Sequence, residues 1–114
     1  RTLNALALPG VTFREAWFTP YFSKFQGRLC GGCQVHVTDR EAFRSVATIL
    51  HILKAVREAH PAEFAFHGDY FDKVMGTDAV RRALEAGTPV ADILAGLEPG
   101  LAAFDALRKP YLLY

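Results

Sequence analysis

The stretch Trp17-Phe-Thr-Pro-Tyr-Phe-Ser-Lys-Phe-Gln-Gly-Arg-Leu-Cys-Gly-Gly-Cys-Gln-Val-His-Val-Thr-Asp39 decides how this chain is read. It joins five aromatics, a Thr-Pro step, three glycines and the polar pair Gln34 and His36 in one segment. Residues 31–37 read as a glycine turn feeding a strand over 32–37. Side chains of a strand alternate between its faces. Cys33, Val35 and Val37 therefore share one face, expected to enter a core, and Gln34 and His36 share the other.

Upstream of the loop, residues 11–18 alternate as a first strand. Val11, Phe13 and Trp17 fall on one face, Thr12 and Arg14 on the other, and Glu15 does not fit the pattern. Thr19-Pro20 ends the strand, because proline cannot donate to a ladder. The intervening loop, residues 19–31, is long for a compact domain, and loops of that length often carry function. Residues 1–8 read as the tail of a helix with Leu3 and Leu6 inward, broken by Pro9-Gly10. The chain is expected to be one domain cut from a longer protein.

Downstream, Thr38-Asp-Arg-Glu41 has the spacing of a capping box, which predicts a helix over 39–59. Phe43, Val46, Ala47, Leu50 and Leu53 follow helical spacing, and His60-Pro61 stops it. Residues 62–76 read as irregular structure with a short strand or helical turn. Thr77 and Asp78 open a helix over 78–86 that Gly87 ends. Thr88-Pro89 opens another over 89–96, and Pro99 opens a last one to Lys109. Residues 110–114 read as extended. The expected fold class is α+β: a small antiparallel sheet packed against a long helix and a C-terminal helical cluster.

At 114 residues the chain is long enough for one core. Its net charge of +1 gives no electrostatic reason to expect nucleic acid as a partner. No apolar run approaches the roughly 20 residues that cross a bilayer, so no membrane segment is expected here. Cys30 and Cys33 form a lone CxxC. A structural zinc needs about four ligands, and no second pair is present. A redox CxxC sits at a helix N-terminus, where the thiol pKa is lowered, whereas this one leads into a strand. The reading is two small thiols near a turn, one of them buried, with no metal and no cofactor.

No nucleophile triad, phosphate loop or dinucleotide fingerprint is present. The carboxylates sit at helix starts or solvated positions, and no spacing places two of them across one cleft as glycosidases require. His36 is the best single candidate for a binding role, against the plain alternative of a surface-strand histidine. Gln34 beside it favours a polyol ligand. Lys24 in the loop is read either as a partner for an anion or as a solvated lysine. Tyr21, Phe22 and Phe25 are read first as plugs of a minor core, since burying an aromatic is strongly favourable, and second as a ligand platform. His51, His60 and His67 fall on a helix face, a helix end and a loop.

The segments Phe18-Thr-Pro-Tyr-Phe-Ser-Lys24, Cys30-Gly-Gly-Cys-Gln-Val-His-Val-Thr-Asp39, Gly76-Thr77-Asp78, Pro99-Gly100 and Pro110-Tyr-Leu-Leu-Tyr114 occur in this order. Together they resemble the C-terminal domain of the bacterial exo-β-N-acetylmuramidase family, over nearly the whole chain. The resemblance implies a two-domain glycoside hydrolase that removes N-acetylmuramic acid from the non-reducing ends of peptidoglycan fragments. It places the catalytic glutamate in an N-terminal Rossmann-like domain, so no catalytic residue is assigned to this chain. That domain and a peptidoglycan saccharide are the expected partners, and the location is bacterial, secreted or periplasmic. The family pattern carries over to Thr19, Ser23, Lys24, Gly32, Gln34 and His36, with Thr19, Ser23, Lys24, Gln34 and His36 as substrate-binding residues. Lys24 or Arg14 is the expected counter-charge for the lactyl carboxylate. Cys33 departs from the family, where an aliphatic residue is expected. The competing reading is a non-catalytic interaction or dimerisation module: a flat exposed aromatic patch would favour it, and a concave wall with Gln34 and His36 would favour the sugar site.

Overall fold

The computed structural model describes residues 2–113; Arg1 and Tyr114 lie outside the described residues. The chain is α+β and divides after Ile49 into two compact units.

The first unit is built on a two-stranded antiparallel sheet. Strand β1, Val11–Phe18, matches the expected span, and β2, Cys30–Val37, starts two residues earlier than expected. The register pairs Val11 with Val37, Phe13 with Val35, Trp17 with Gly31 and Phe18 with Cys30. Directly opposed residues share a face. One face therefore carries Val11, Phe13, Glu15, Trp17, Gly31, Cys33, Val35 and Val37. The other carries Thr12, Arg14, Ala16, Phe18, Cys30, Gly32, Gln34 and His36.

Gly31 and Gly32 are part of β2 rather than a turn before it. A Cβ on Gly31 would meet the Trp17 indole at 3.2 Å, and one on Gly32 would meet the Phe18 ring at 3.2 Å. The two glycines let two large rings lie over β2, one on each face. A glycine inside a strand commonly marks such a close approach. Glu15, the misfit of the sequence pattern, accepts the Trp17 indole N–H at 2.7 Å on the same face.

The N-terminal helix is shorter than expected: α1 covers only Thr2–Ala5. Gly10 closes the end of the hairpin. It holds φ at 68°, and its carbonyl accepts the amides of Thr38 at 2.9 Å and Asp39 at 3.3 Å. The expected capping box at Thr38 does not form. The Asp39 carboxylate takes the amides of Glu41 at 2.9 Å and Ala42 at 3.2 Å, and residues 40–42 are a turn. With the Thr38 backbone tied to Gly10, the charged acceptor one residue on takes the amides of the turn. Helix α2 consequently runs over Ser45–Ala59 instead of 39–59.

The second unit is helical. Helix α3, Gly68–Met75, replaces the expected irregular stretch and ends on Gly76 at φ 74°. Asp69 in its first turn and Lys73 in its last complement the helix dipole. Helix α4 spans Ala79–Glu85, with the Ala79 amide donating to Thr77 Oγ1 at 3.1 Å. Helix α5 runs unbroken over Val90–Arg108 with Pro99 inside it, where two helices were expected. Proline removes one hydrogen bond to the residue four back. Here that residue is Ala95, which is exposed, so water can satisfy its carbonyl. Lys109–Tyr111 then forms a 3₁₀ turn, so the expected extended end is reduced to its last residues.

The core of this unit is Leu50, Val80, Leu84, Val90 and Ile93, with Phe66, Phe71 and Met75 packed against it. The Phe66 ring meets Phe64 edge-on at 4.9 Å and Phe71 at 4.7 Å. Arg81 of α4 clasps Asp72 of α3 with Nε at 2.9 Å and Nη2 at 2.8 Å. No helix of the described residues is long and apolar enough to cross a membrane.

Candidate functional site

The site is assembled from the hairpin loop and the strand ends that carry it. Residues 19–29 fold back on themselves through three backbone hydrogen bonds: Gly27 to Pro20 at 3.0 Å, Gln26 to Ser23 at 3.3 Å and Arg28 to Phe25 at 3.0 Å. Ser23 and Phe25 both adopt left-handed backbone, φ 67° and 61°. Non-glycine residues in that region cost about 1–2 kcal/mol each, so the loop holds Lys24 between two strained neighbours. Such strain concentrates at functional segments.

The loop forms one side of an open concavity of about 520 Å³, lined by Phe18, Pro20, Lys24, Phe25, Arg28, Leu29, Cys30 and Gly31. Its wall is apolar apart from two cations, and no carboxylate lines it. The Arg28 guanidinium lies 5.6 Å from the centroid of the Phe25 ring, within cation–π range. Convergent polar groups on an apolar wall are typical of a small-ligand site.

Of the residues singled out from sequence, Lys24 lines this concavity. Thr19 and Ser23 are exposed in the same loop without lining it. Gln34 and His36 lie on the sheet face shared with Phe18 and Cys30, opposite Arg14 and Thr12. At about 3.3 Å per residue, Gln34 is some 13 Å and His36 some 20 Å along β2 from Cys30. The polar pair is thus set back along the strand from the concavity that Lys24 lines, and neither Gln34 nor His36 lines it. Arg14 is on the strand beside Gln34 and not in the concavity.

Three expectations about side-chain burial are corrected. Val35 and Val37 are not core residues; they are 42% and 47% exposed. His36, expected to face water, is half-buried, and its Nε2 is buried with no hydrogen-bond partner among the described residues. Alternation assigned the faces correctly, but it carries no information on which face is covered. Tyr21 and Phe22 are not core plugs either, being 89% and 76% exposed.

Neither cysteine is buried: Cys30 is half-buried and Cys33 exposed. Three residues apart on a strand, they point to opposite faces. Among the described residues no cluster of three or more His, Cys, Asp or Glu is placed to hold a metal ion. A second groove of about 250 Å³ lies along α4 and α5, lined by small and aliphatic side chains with Thr88 and Asp92; it holds no cation.

Fold and site together define a small α+β domain with a cation-bearing aromatic concavity and no catalytic carboxylate pair around it. The chain belongs to the family described as exo-β-N-acetylmuramidase NamZ, C-terminal, whose model matches residues 1–114. It is 47% identical over 114 residues to the peptidoglycan β-N-acetylmuramidase NamZ of Bacillus subtilis, a match covering 99% of this chain and 28% of that protein. Its fold is similar to the crystal structure of a DUF1343 family protein from Bacteroides fragilis, with a TM-score of 0.87 and 25% identity. That match covers 99% of this chain and 31% of the other. The chain thus spans less than a third of the length of these relatives.

Sequence reasoning missed Arg28, Phe18 and Leu29 as parts of the site. Arg28 was detectable in principle, since a cation three residues after an aromatic within a glycine-containing loop can fold back over the ring.

Proposed function

We propose that this chain is the cleft-forming C-terminal domain of a peptidoglycan-degrading exo-β-N-acetylmuramidase. In this reading the enzyme hydrolyses terminal N-acetylmuramic acid from non-reducing ends, with its own N-terminal domain supplying the catalytic carboxylate. The carrying observation is 47% identity across the chain to the B. subtilis peptidoglycan β-N-acetylmuramidase, of which it covers only 28%. The character of the concavity supports a binding role, because two cations and an apolar wall without a carboxylate can hold an acidic sugar but not cleave it.

Lys24 and the strained loop bind at one end of the sheet face, with Ser23 and Thr19 beside them. Gln34 and His36 serve a second position further along, so the face suits an extended saccharide rather than one ring. Glycoside hydrolysis by carboxylates requires no cofactor. The substrate places the enzyme in the bacterial envelope, secreted or periplasmic.

The exposure of Tyr21 and Phe22 favours a second reading, an interaction module whose aromatic loop docks on protein. One experiment separates the two. The full-length protein is incubated with a disaccharide carrying N-acetylmuramic acid at its non-reducing end, and release of the free sugar is followed by mass spectrometry. Release by the full-length protein and none by residues 1–114 alone is expected. A full-length protein that releases nothing, or a fragment that releases the sugar unaided, overturns the reading.

A further inference from the structure

We propose that Arg28 is a substrate-binding residue of the loop concavity: with Lys24 it forms a cationic corner for the carboxylate of an acidic amino sugar. The pyranose ring of that sugar lies against Phe18, Phe25 and Leu29. The proposal rests on the carbohydrate reading above and adds the residue that reads the acid.

Four observations carry it. Lys24 and Arg28 are the two cations of the concavity, and no carboxylate among its lining residues balances them. Neither takes part in an ion pair among the described residues, whereas Arg81, Arg82 and Arg108 do. Two like charges sharing one concavity repel each other, and a bound anion relieves both.

The Arg28 head group is also held in place before any ligand arrives. Its guanidinium sits over the Phe25 ring at 5.6 Å, and its backbone amide donates to the Phe25 carbonyl at 3.0 Å. Phe25 itself is fixed in left-handed backbone at φ 61°. A guanidinium already oriented loses less freedom on binding, and its planar fork matches a carboxylate through two parallel hydrogen bonds. Lys24 adds a point charge from the opposite side of Phe25 in sequence.

The remaining wall is apolar, which suits the C–H face of a sugar. The concavity holds about 520 Å³ and opens to solvent, room for a pyranose ring with an acidic substituent turned toward Lys24 and Arg28. The lactyl ether carboxylate that distinguishes N-acetylmuramic acid from N-acetylglucosamine meets this description. Arg14, the alternative counter-charge, lies on the strand four residues from Phe18 and does not line the concavity.

The test measures binding to the full-length protein by calorimetry, using N-acetylmuramic acid, its lactyl methyl ester and N-acetylglucosamine. Wild-type protein is expected to prefer the acid over both neutral sugars by at least about tenfold, in line with a charge-assisted hydrogen bond, and to lose preference as salt rises. Arg28→Gln is expected to remove most of that preference, and Arg28→Lys to restore part of it. Equal binding of acid and ester by wild-type protein overturns the proposal without any variant. So does an undiminished preference in folded Arg28→Gln. If the full-length protein releases muramic acid while Arg28→Gln keeps its preference, only the assignment of Arg28 fails. If it neither releases nor prefers the acid, the functional reading fails with it.

Discussion

The side chain of Asn4 pairs with the backbone of Phe13 as a neighbouring strand would. Asn4 Nδ2 donates to the Phe13 carbonyl at 2.8 Å, and the Phe13 amide donates to Asn4 Oδ1 at 2.8 Å. The two-stranded sheet leaves the outer edge of β1 without a ladder partner, and this one amide satisfies both groups of its buried residue. Unpaired edge groups are costly when buried and attract other chains when exposed. Asn4→Ala is expected to destabilise the protein by about 1–3 kcal/mol, the cost of leaving a buried donor or acceptor unmade. A denaturant midpoint that does not move, at constant m-value, would show the pair to be dispensable.

The turn before α2 is held by Asp39. Asp39→Ala is expected to cost about 0.5–1.5 kcal/mol, the net worth of a typical hydrogen bond, and Thr38→Ala to stay within about 0.5 kcal/mol of wild type. The Thr38 backbone amide, which bonds to Gly10, survives the latter substitution. Parallel urea denaturation of the two variants checks the order, and a larger loss for Thr38→Ala would contradict it.

Acid should loosen the join between α3 and α4. The Arg81 guanidinium bonded to Asp72 holds that carboxyl below the usual carboxylate range. A carboxyl depressed in the folded state contributes stability that is complete above its unfolded pKa and is lost as pH falls through the lower folded value. Melting temperatures of wild type and Asp72→Asn should therefore differ most at neutral pH and converge as the solution is acidified below about pH 4. A difference that grows on acidification would reverse the sign and refute the linkage.

Cys30 and Cys33 should resist becoming a disulfide within the folded domain. Three strand residues separate their Cα atoms by about 10 Å, beyond the roughly 7 Å limit for a bridge. Mild oxidation of native protein is expected to leave no intramolecular bond, and Cys33, the more exposed thiol, should be alkylated first. Peptide mapping after oxidation and after timed alkylation reads both outcomes.

For His36 the expectation separates folding from function. Its Nε2 makes no hydrogen bond among the described residues, so His36→Ala forfeits none and loses only the packing of a half-buried ring, about 1 kcal/mol. In the full-length enzyme the same change should lower kcat/KM at least about tenfold, the worth of one hydrogen bond to substrate. Full activity in a folded variant would leave His36 without a role in binding.

How far the sequence could be read depended on how local the controlling physics was. Strand β1 came out with its ends because alternation, Thr19-Pro20 and Pro9-Gly10 all act within a few residues. The stop at His60-Pro61 and the Gly87 break were legible for the same reason. Helix α3 was not, because His67 offers no side-chain cap to mark its start, although Phe71 and Met75, four apart, share the face that packs on the core. Pro99 was read as a start when it lies inside α5, because whether an unpaired carbonyl is tolerated depends on its exposure.

The site divides in the same way. A period of two put Gln34 and His36 on one face and Val35 and Val37 on the other, and the loop residues Ser23 and Lys24 were recognisable from their motif. Which face is covered, and which cation turns into the concavity, are properties of residues brought together across the hairpin. Arg28 enters the concavity because Phe25 bends into left-handed backbone and offers its ring, while Arg14 stays on the strand. Gly31 and Gly32 look like a turn when read alone. They are strand residues because Trp17 and Phe18, more than ten positions earlier, need the space that a missing Cβ leaves.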